Sequence, residues 1–356
     1  MSVYLITLVL SLITSTFSYY YKDKQKIISI FFLVLTLLIL GLISGLRWGV
    51  FGDYFNYANN YIIYKNSFWE SLITFNEPGI RFIAYISQYI YDDYATMFLI
   101  CSLLTISLFI IPLYKHSDYF FISILLYIFI GAWHGSFNGV RQYIASAIIF
   151  FGHRLIYEKK FWKYLIVVIV ASLFHSSAMI MILLYFVPKS KLNFIQIIIF
   201  LLLIIITLSS YNYIFEFIEI FFNRYRSYNF TITEYVTNDV SIARIAVMLT
   251  PVLVYLGITP KKFLDTRNHN ENPFYINLLF VNAAVYLMTA NSSYLARFGI
   301  YTTIFLTIGI PKLFLQIKRK YRYLYYYFTI ILFFFYWIYD ILGTPDLLKF
   351  KWIFER

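Results

Sequence analysis

A chain of 356 residues that is 61% hydrophobic and only 13% charged carries apolar runs from end to end and no polar stretch long enough for a soluble domain. It reads as a single transmembrane domain over 1–356. Its net charge of +12 is not a nucleic-acid signature, because the lysines and arginines sit in short clusters between apolar runs, where they set topology. The lone Cys101, inside an apolar run, excludes an intramolecular disulfide and a cysteine-based metal site.

The fold class expected is all-α: a polytopic transmembrane helical bundle of about 11–13 spans. In chain order they are about 3–20, 27–45, 95–113, 119–133, 139–157, 161–173, 176–188, 193–211, 243–258, 274–290, 294–315 and 323–342. The first run has no basic residue before it, unlike a signal peptide, and Lys22, Lys24 and Lys26 follow it. That places the first loop inside the cell and both termini outside. After the second run comes a polar knot, Gly45 to Tyr57, with Arg47, Gly49, Gly52, Asp53, Tyr54 and Tyr57. The two glycines predict a tight turn that can aim N–H groups at an anion. Asp53, Asn56, Tyr57 and Asn60 then recur on one helical face, a surface suited to sugar hydroxyls. The plainer reading is an interfacial connector anchored by arginine and aromatics.

The segment 79–91 is read as re-entrant or interfacial, because that choice leaves the basic clusters inside: Lys115, 154–163, Lys189/Lys191, 261–267 and 318–322. Basic flanks at 159–163 and 189–191 require 161–188 to enter the membrane and return, as a short helical hairpin turning near Phe174-His175-Ser176. The largest non-apolar stretch, about 212–241, falls outside.

With that topology Arg47, Asp53, Glu77, Arg81, His134, Arg141, His175 and Arg297 all reach the external mouth from different parts of the chain. Charged groups at membrane depth cost free energy and mark a pathway or site; the alternative is that each snorkels separately to the interface. Asn138 is a candidate N-cap, with Arg141 and Gln142 in the first turn behind it, where a helix terminus and a guanidinium together favour phosphate. His134 reads as a loop histidine or a second donor. His175, at the hairpin apex, suits general-base work or a structural hydrogen bond. Glu77 is either the ion-pair partner of Arg81 or a second acid. No nucleotide-binding loop, Asp-x-Asp or zinc helix is present, so no cofactor and no metal is expected.

Arg47…Gly52-Asp53-Tyr54…Tyr57, Glu77-Pro78-Gly79, Val140-Arg141-Gln142…Ala145, Leu173-Phe174-His175-Ser176-Ser177-Ala178 and Ala296-Arg297…Tyr301…Pro311 follow one another in an order and spacing that resembles the EpsG family of Wzy-type polysaccharide polymerases. The resemblance covers about 45–311. It implies a glycosyltransferase that polymerises undecaprenyl-diphosphate-linked oligosaccharide repeats on the outer face of the cytoplasmic membrane. Its implied partners are that lipid-linked substrate, membrane lipid, and a chain-length regulator and flippase of the same pathway. Carried onto this chain, Asp53, His175 and Arg141 are the catalytic candidates. Arg47, Glu77, Arg81, Gln142, Arg297, Tyr54 and Tyr57 are the candidates for holding sugar and pyrophosphate. Two other readings are a lipid-oligosaccharide flippase, for which internal repeats are missing, and an O-antigen-ligase-type transferase.

Overall fold

The computed structural model describes residues 1–192, 240–258, 272–292 and 295–356, with Gln196, Ile198, Leu202 and Ile205 in between. It is a polytopic helical bundle, and its residues fall into two compact units, Met1–Phe186 with Ile330–Arg356, and Val187–Thr329. The 261–267 cluster, and all of the 212–241 stretch but its last two residues, lie outside the described residues.

In the first unit α1 (Ser2–Tyr21) and α2 (Lys26–Gly45) form an antiparallel pair. Both are apolar throughout, so small polar residues make the seam, as membrane helices do where lipid gives no hydrophobic drive. Ser18 Oγ donates to Ser29 O at 2.9 Å, Ser29 Oγ returns a bond to Ser18 O at 2.6 Å, and Thr36 donates to Thr14 at 2.8 Å. On its other side α2 meets α7 (Tyr94–His116). Gly45 permits this contact: a Cβ there would stand 2.9 Å from the Leu99 backbone.

Between α2 and α7 the chain makes β1 (Arg47–Trp48), three short helices α3 (Tyr54–Asn59), α4 (Tyr61–Asn66) and α5 (Phe68–Thr74), and α6 (Pro78–Ser87). With 10 residues, α6 rises only about 15 Å, half of what a bilayer core asks. It packs on α4, α5 and α7. The next helices are interrupted. α8 (Phe120–Phe129) is separated from the single turn α9 (Ala132–Gly135) by Gly131 at φ +81°. α10 (Val140–Phe151) is separated from α11 (His153–Tyr157) by Gly152, against which Val167 packs. α12 (Phe161–Ser172) then turns at Leu173–His175 into a 3-10 segment, Ser176–Phe186. Tyr164 donates to Met181 O at 2.7 Å and Tyr185 to Lys159 O at 2.8 Å, which ties the two limbs into the hairpin that the basic flanks predict.

The second unit contains α13 (Ile242–Ile258), α14 (Asn272–Met288), a 3-10 turn Leu295–Phe298, α15 (Gly299–Thr303) and α16 (Leu306–Gln316). The last three elements make one apolar passage bent by 55°. Asn282 on α14 accepts from Thr302 at 2.9 Å and Thr303 at 3.0 Å at the bend. α17 (Arg319–Leu342) leads into the first unit, which closes with α18 (Pro345–Leu348) and β2 (Lys351–Trp352). β2 pairs antiparallel with β1, Arg47 opposite Trp352 and Trp48 opposite Lys351. Among the described residues four helices are long and apolar enough to cross a membrane, five if the bent passage counts as one span; the remaining apolar helices are shorter.

The first unit has two polar ends. At one, Lys22 donates to Tyr114 O at 2.6 Å, His116 meets His153, and Glu158 pairs with Lys160. At the other lie the β1–β2 pair, the start of α6, the start of α10 and the hairpin apex. The basic-cluster rule predicts that the lysine-rich end faces the cytoplasm. In intact spheroplasts a cysteine replacing exposed Lys24 is therefore protected from an impermeant maleimide, and one replacing exposed Lys349 is labelled. The reverse pattern would invert the topology.

Candidate functional site

The site is built around a carboxylate. Glu77 is 4% exposed and holds a left-handed backbone, φ +48°, a conformation that costs a non-glycine residue free energy and recurs at functional sites. The two residues after it explain how it is held. Pro78 takes the first helical position of α6, where its missing N–H is no loss. Gly79 donates its N–H to Leu173 O at 2.9 Å, and a Cβ on it would lie 2.7 Å from the Phe174 ring. Glu-Pro-Gly is thus a docking motif: glycine lets the start of α6 touch the hairpin apex, and glutamate turns inward beside it.

Two partners reach Glu77 from different elements. Arg141, in the first turn of α10, forms an ion pair through Nη1 with Oε2. His175, at the apex, sets Nδ1 3.1 Å from Oε1. Arg141 also donates from Nε to the Tyr57 hydroxyl at 3.1 Å, with its guanidinium 5.5 Å from the centre of that ring. Burial raises the Tyr57 phenol above its ordinary pKa, with Arg141 opposing the rise, so it stays a neutral hydroxyl. Arg141 keeps 29% of its side chain exposed and His175 20%. The pair therefore opens outward while Glu77 stays covered. A carboxylate facing Nδ1 favours the tautomer with the proton there, which leaves Nε2 as an acceptor.

Asp53 approaches the same cluster. Its backbone N–H donates to the Asn138 side chain at 3.0 Å, and its carboxylate acts electrostatically on Tyr57. Asn138 is therefore not the N-cap of α10; Gly139 takes that position, and the Asn138 amide instead ties the Asp53 turn to the loop before α10. Within the turn Gly49 adopts φ +62°, as its glycine suggests, but the second left-handed residue is Phe51 at φ +76°, and Gly52 has open space around it. The polar face expected over 53–60 is split: within α3 Asn56 is exposed while Tyr57 is buried, and α3 ends at Asn59 before a new helix starts at Tyr61.

Other sequence candidates have different surroundings. Arg47 is 2% exposed, and its Nη2 donates to Phe137 O at 2.7 Å while Nη1 bonds Ser44 O. The rings of Phe98 and Phe137 stand 5.0 Å from its guanidinium. Burial pulls its pKa down to about 10, which leaves it charged at neutral pH. Arg47 thus joins the end of α2 to the loop before α10. Tyr54, read as a sugar contact, is fully buried and stacked on Phe98 at 4.6 Å. Arg81 does not pair with Glu77: one turn into α6 it points the other way, donating to Asn76 O at 3.1 Å and to Ser67 Oγ. Gln142 is 7% exposed. His134 is buried and pairs with Asp340 at 2.9 Å, a partner 206 residues away that no local signal indicates. Arg297 is exposed in the 3-10 turn of the second unit.

Comparison with protein-family models gives a match to the EpsG family over residues 30–353. The chain belongs to the EpsG family. That family comprises Wzy-type polysaccharide polymerase-like membrane proteins, so the chain has a polysaccharide-polymerase-like role in a membrane. Neither the curated proteins nor the solved structures compared with it include a match. For this EpsG member the Glu-Pro-Gly and Phe-His-Ser motifs, far apart in sequence, are two halves of one contact.

The Gly79–Phe174 contact has a direct test. Gly79→Ala forces the aromatic ring aside and lowers stability by about 1–3 kcal/mol, the usual result of overpacking, seen as a lower melting temperature of the detergent-purified protein. Phe174→Leu in the same chain recovers part of it. An unchanged melting temperature for Gly79→Ala alone would mean that the ring swings away freely.

Proposed function

We propose that the protein is a Wzy-type polymerase of the cell membrane. It transfers a growing glycan from its undecaprenyl-diphosphate carrier to a hydroxyl of an incoming lipid-linked repeat unit, on the external face. The observation that carries this reading is buried Glu77 bridging the partly exposed Arg141 and His175. It joins an anion-binding cation to a base beside it, which is the pair of groups this transfer needs.

The chemistry runs without a metal. The acceptor hydroxyl attacks the anomeric carbon; a new C–O bond forms and the C–O bond to the diphosphate breaks. His175 Nε2 takes the hydroxyl proton, and Glu77 at Nδ1 stabilises the imidazolium that results. Arg141 stands at a helix N-terminus, and its Nη2 retains donors toward the developing charge on the pyrophosphate. Tyr57 and Glu77 fix the plane of the guanidinium, so that its fork is set before substrate arrives. Of the two candidate bases His175 is favoured, because a carboxylate orients it; Asp53, at the edge of the cluster, is assigned to hold acceptor hydroxyls.

Arg141→Lys keeps the charge and loses the planar fork. We expect chain extension from purified lipid-linked repeat units to fall about 10²–10³-fold, mostly in kcat, as for loss of a donor to developing charge. Near-normal extension would make Arg141 an anchor for its helix. His175→Gln is expected to lose about 10²–10⁴-fold, more than Asp53→Asn. The opposite ranking would move the base to Asp53.

A further inference from the structure

Residues 350–356 lie beside the candidate site without belonging to it. β2 pairs with β1 in register, and just beyond it Ile353 N–H donates to Leu46 O at 2.8 Å. Lys351 stands 5.2 Å over the Trp48 ring, and Phe350 meets Tyr4 at 6.1 Å. Arg356 then reaches Asp93, with Nη2 2.6 Å from Oδ2, and lies 5.5 Å from the Tyr94 ring. Asp93 is the N-cap of α7 and accepts from Ala95 N–H at 2.8 Å. The segment therefore grips both supports of the polar turn: its first strand, and the start of the helix on which its aromatics rest.

What rests there leads to the site. Tyr54 stacks on Phe98 of α7, and Tyr57 meets the same ring edge-on at 6.3 Å. The Tyr57 hydroxyl accepts from Arg141 Nε, and the Asp53 backbone N–H donates to the Asn138 side-chain oxygen. A shift of the α7 start against β1 moves Tyr57 and Asp53 relative to Glu77, Arg141 and His175. Reacting groups tolerate little misplacement: an error of about 1 Å costs on the order of 10²-fold in rate.

We propose that residues 351–356 are a positioning strap, which fixes Asp53 and Tyr57 against the Glu77–Arg141–His175 cluster through the β1–β2 pairing and the Arg356–Asp93 ion pair. Arg356 is its key residue and touches no substrate. The strap's importance for polymerisation rests on the reading under Proposed function; its mechanical role does not.

The test has two arms. The first needs no substrate. It uses a Val50→Cys chain, since Val50 is fully buried in the turn and the native Cys101 is itself buried. With Arg356 in place the introduced thiol reacts slowly with a soluble maleimide in membranes, and Arg356→Ala raises the labelling rate about tenfold or more, a partial opening of a local unit. Arg356→Lys raises it less. The second arm measures surface polysaccharide made by cells at matched protein level. Arg356→Ala lowers it about tenfold or more, from misplacement of the site. The double substitution Trp48→Cys with Lys351→Cys, at positions directly opposed across the strands, forms a disulfide under oxidation. That bond fixes the strand pairing alone, so it leaves polymer near normal in the otherwise native chain and does not replace the lost tie to Asp93, whereas Arg356→Lys, which keeps a cation there, retains more polymer than Arg356→Ala. An unchanged labelling rate and polymer level in Arg356→Ala would overturn the strap. So would an oxidised pair that silences the otherwise native chain, since a strap that must open does not position. If labelling behaves as stated but the wild-type chain makes no polymer, the proposed reaction falls and the strap stands.

Discussion

An acid buried near the mouth of a membrane protein must be compensated, and the first unit is arranged around compensating Glu77. An isolated carboxylate would protonate or destabilise the fold. Here one oxygen takes a guanidinium and the other faces an imidazole. Those two partners come from α10 and from the hairpin apex, so satisfying a single carboxylate fixes three separate segments against one another. The left-handed backbone at Glu77 is a local strain that this arrangement sustains. Breaking one partner leaves the other charge uncompensated, which is why the cluster acts as a unit.

Arg47 answers a related problem differently. It has no acid beside it among the contacts described, yet it is buried. Carbonyl oxygens at Ser44 and Phe137 accept its donors, and aromatic faces at Phe98 and Phe137 take part of its charge. The guanidinium thereby links the end of α2 to the loop that feeds Arg141 into α10. Two arginines close in character serve different ends: one is open to the outside and keeps donor capacity, while the other is enclosed and joins elements. Their exposure, not their charge, separates them.

The aromatic residues of the polar turn also divide by position. Tyr54 and Tyr57 lie three residues apart on α3 and both rest on Phe98, yet only Tyr57 has its hydroxyl near Arg141. The short helices around them are too brief to be stable alone. They are held by packing against α6 and α7, which makes the turn dependent on whatever fixes the start of α7.

Periodicity and lysine placement by themselves determined the helical membrane fold, most helix bounds within a few residues, and the hairpin at 161–188, because apolar length and basic flanks are local properties of the chain. The motif residues of the candidate site were legible too: Glu77, Arg141 and His175 each stood out as polar groups among apolar neighbours. Their partnership was not. Arg81, four residues from Glu77, was the nearer cation in sequence, but the helix start directs Glu77 inward and Arg81 outward, and Arg141 arrives from another helix. The burial of Arg47 and Tyr54, the service of Asn138 to Asp53, and the pairings of His134 with Asp340 and Asp93 with Arg356 were likewise decided only by the tertiary structure. A side chain's neighbours across a bundle depend on how helices are stacked, and a single sequence records the length and faces of each helix but not which faces meet.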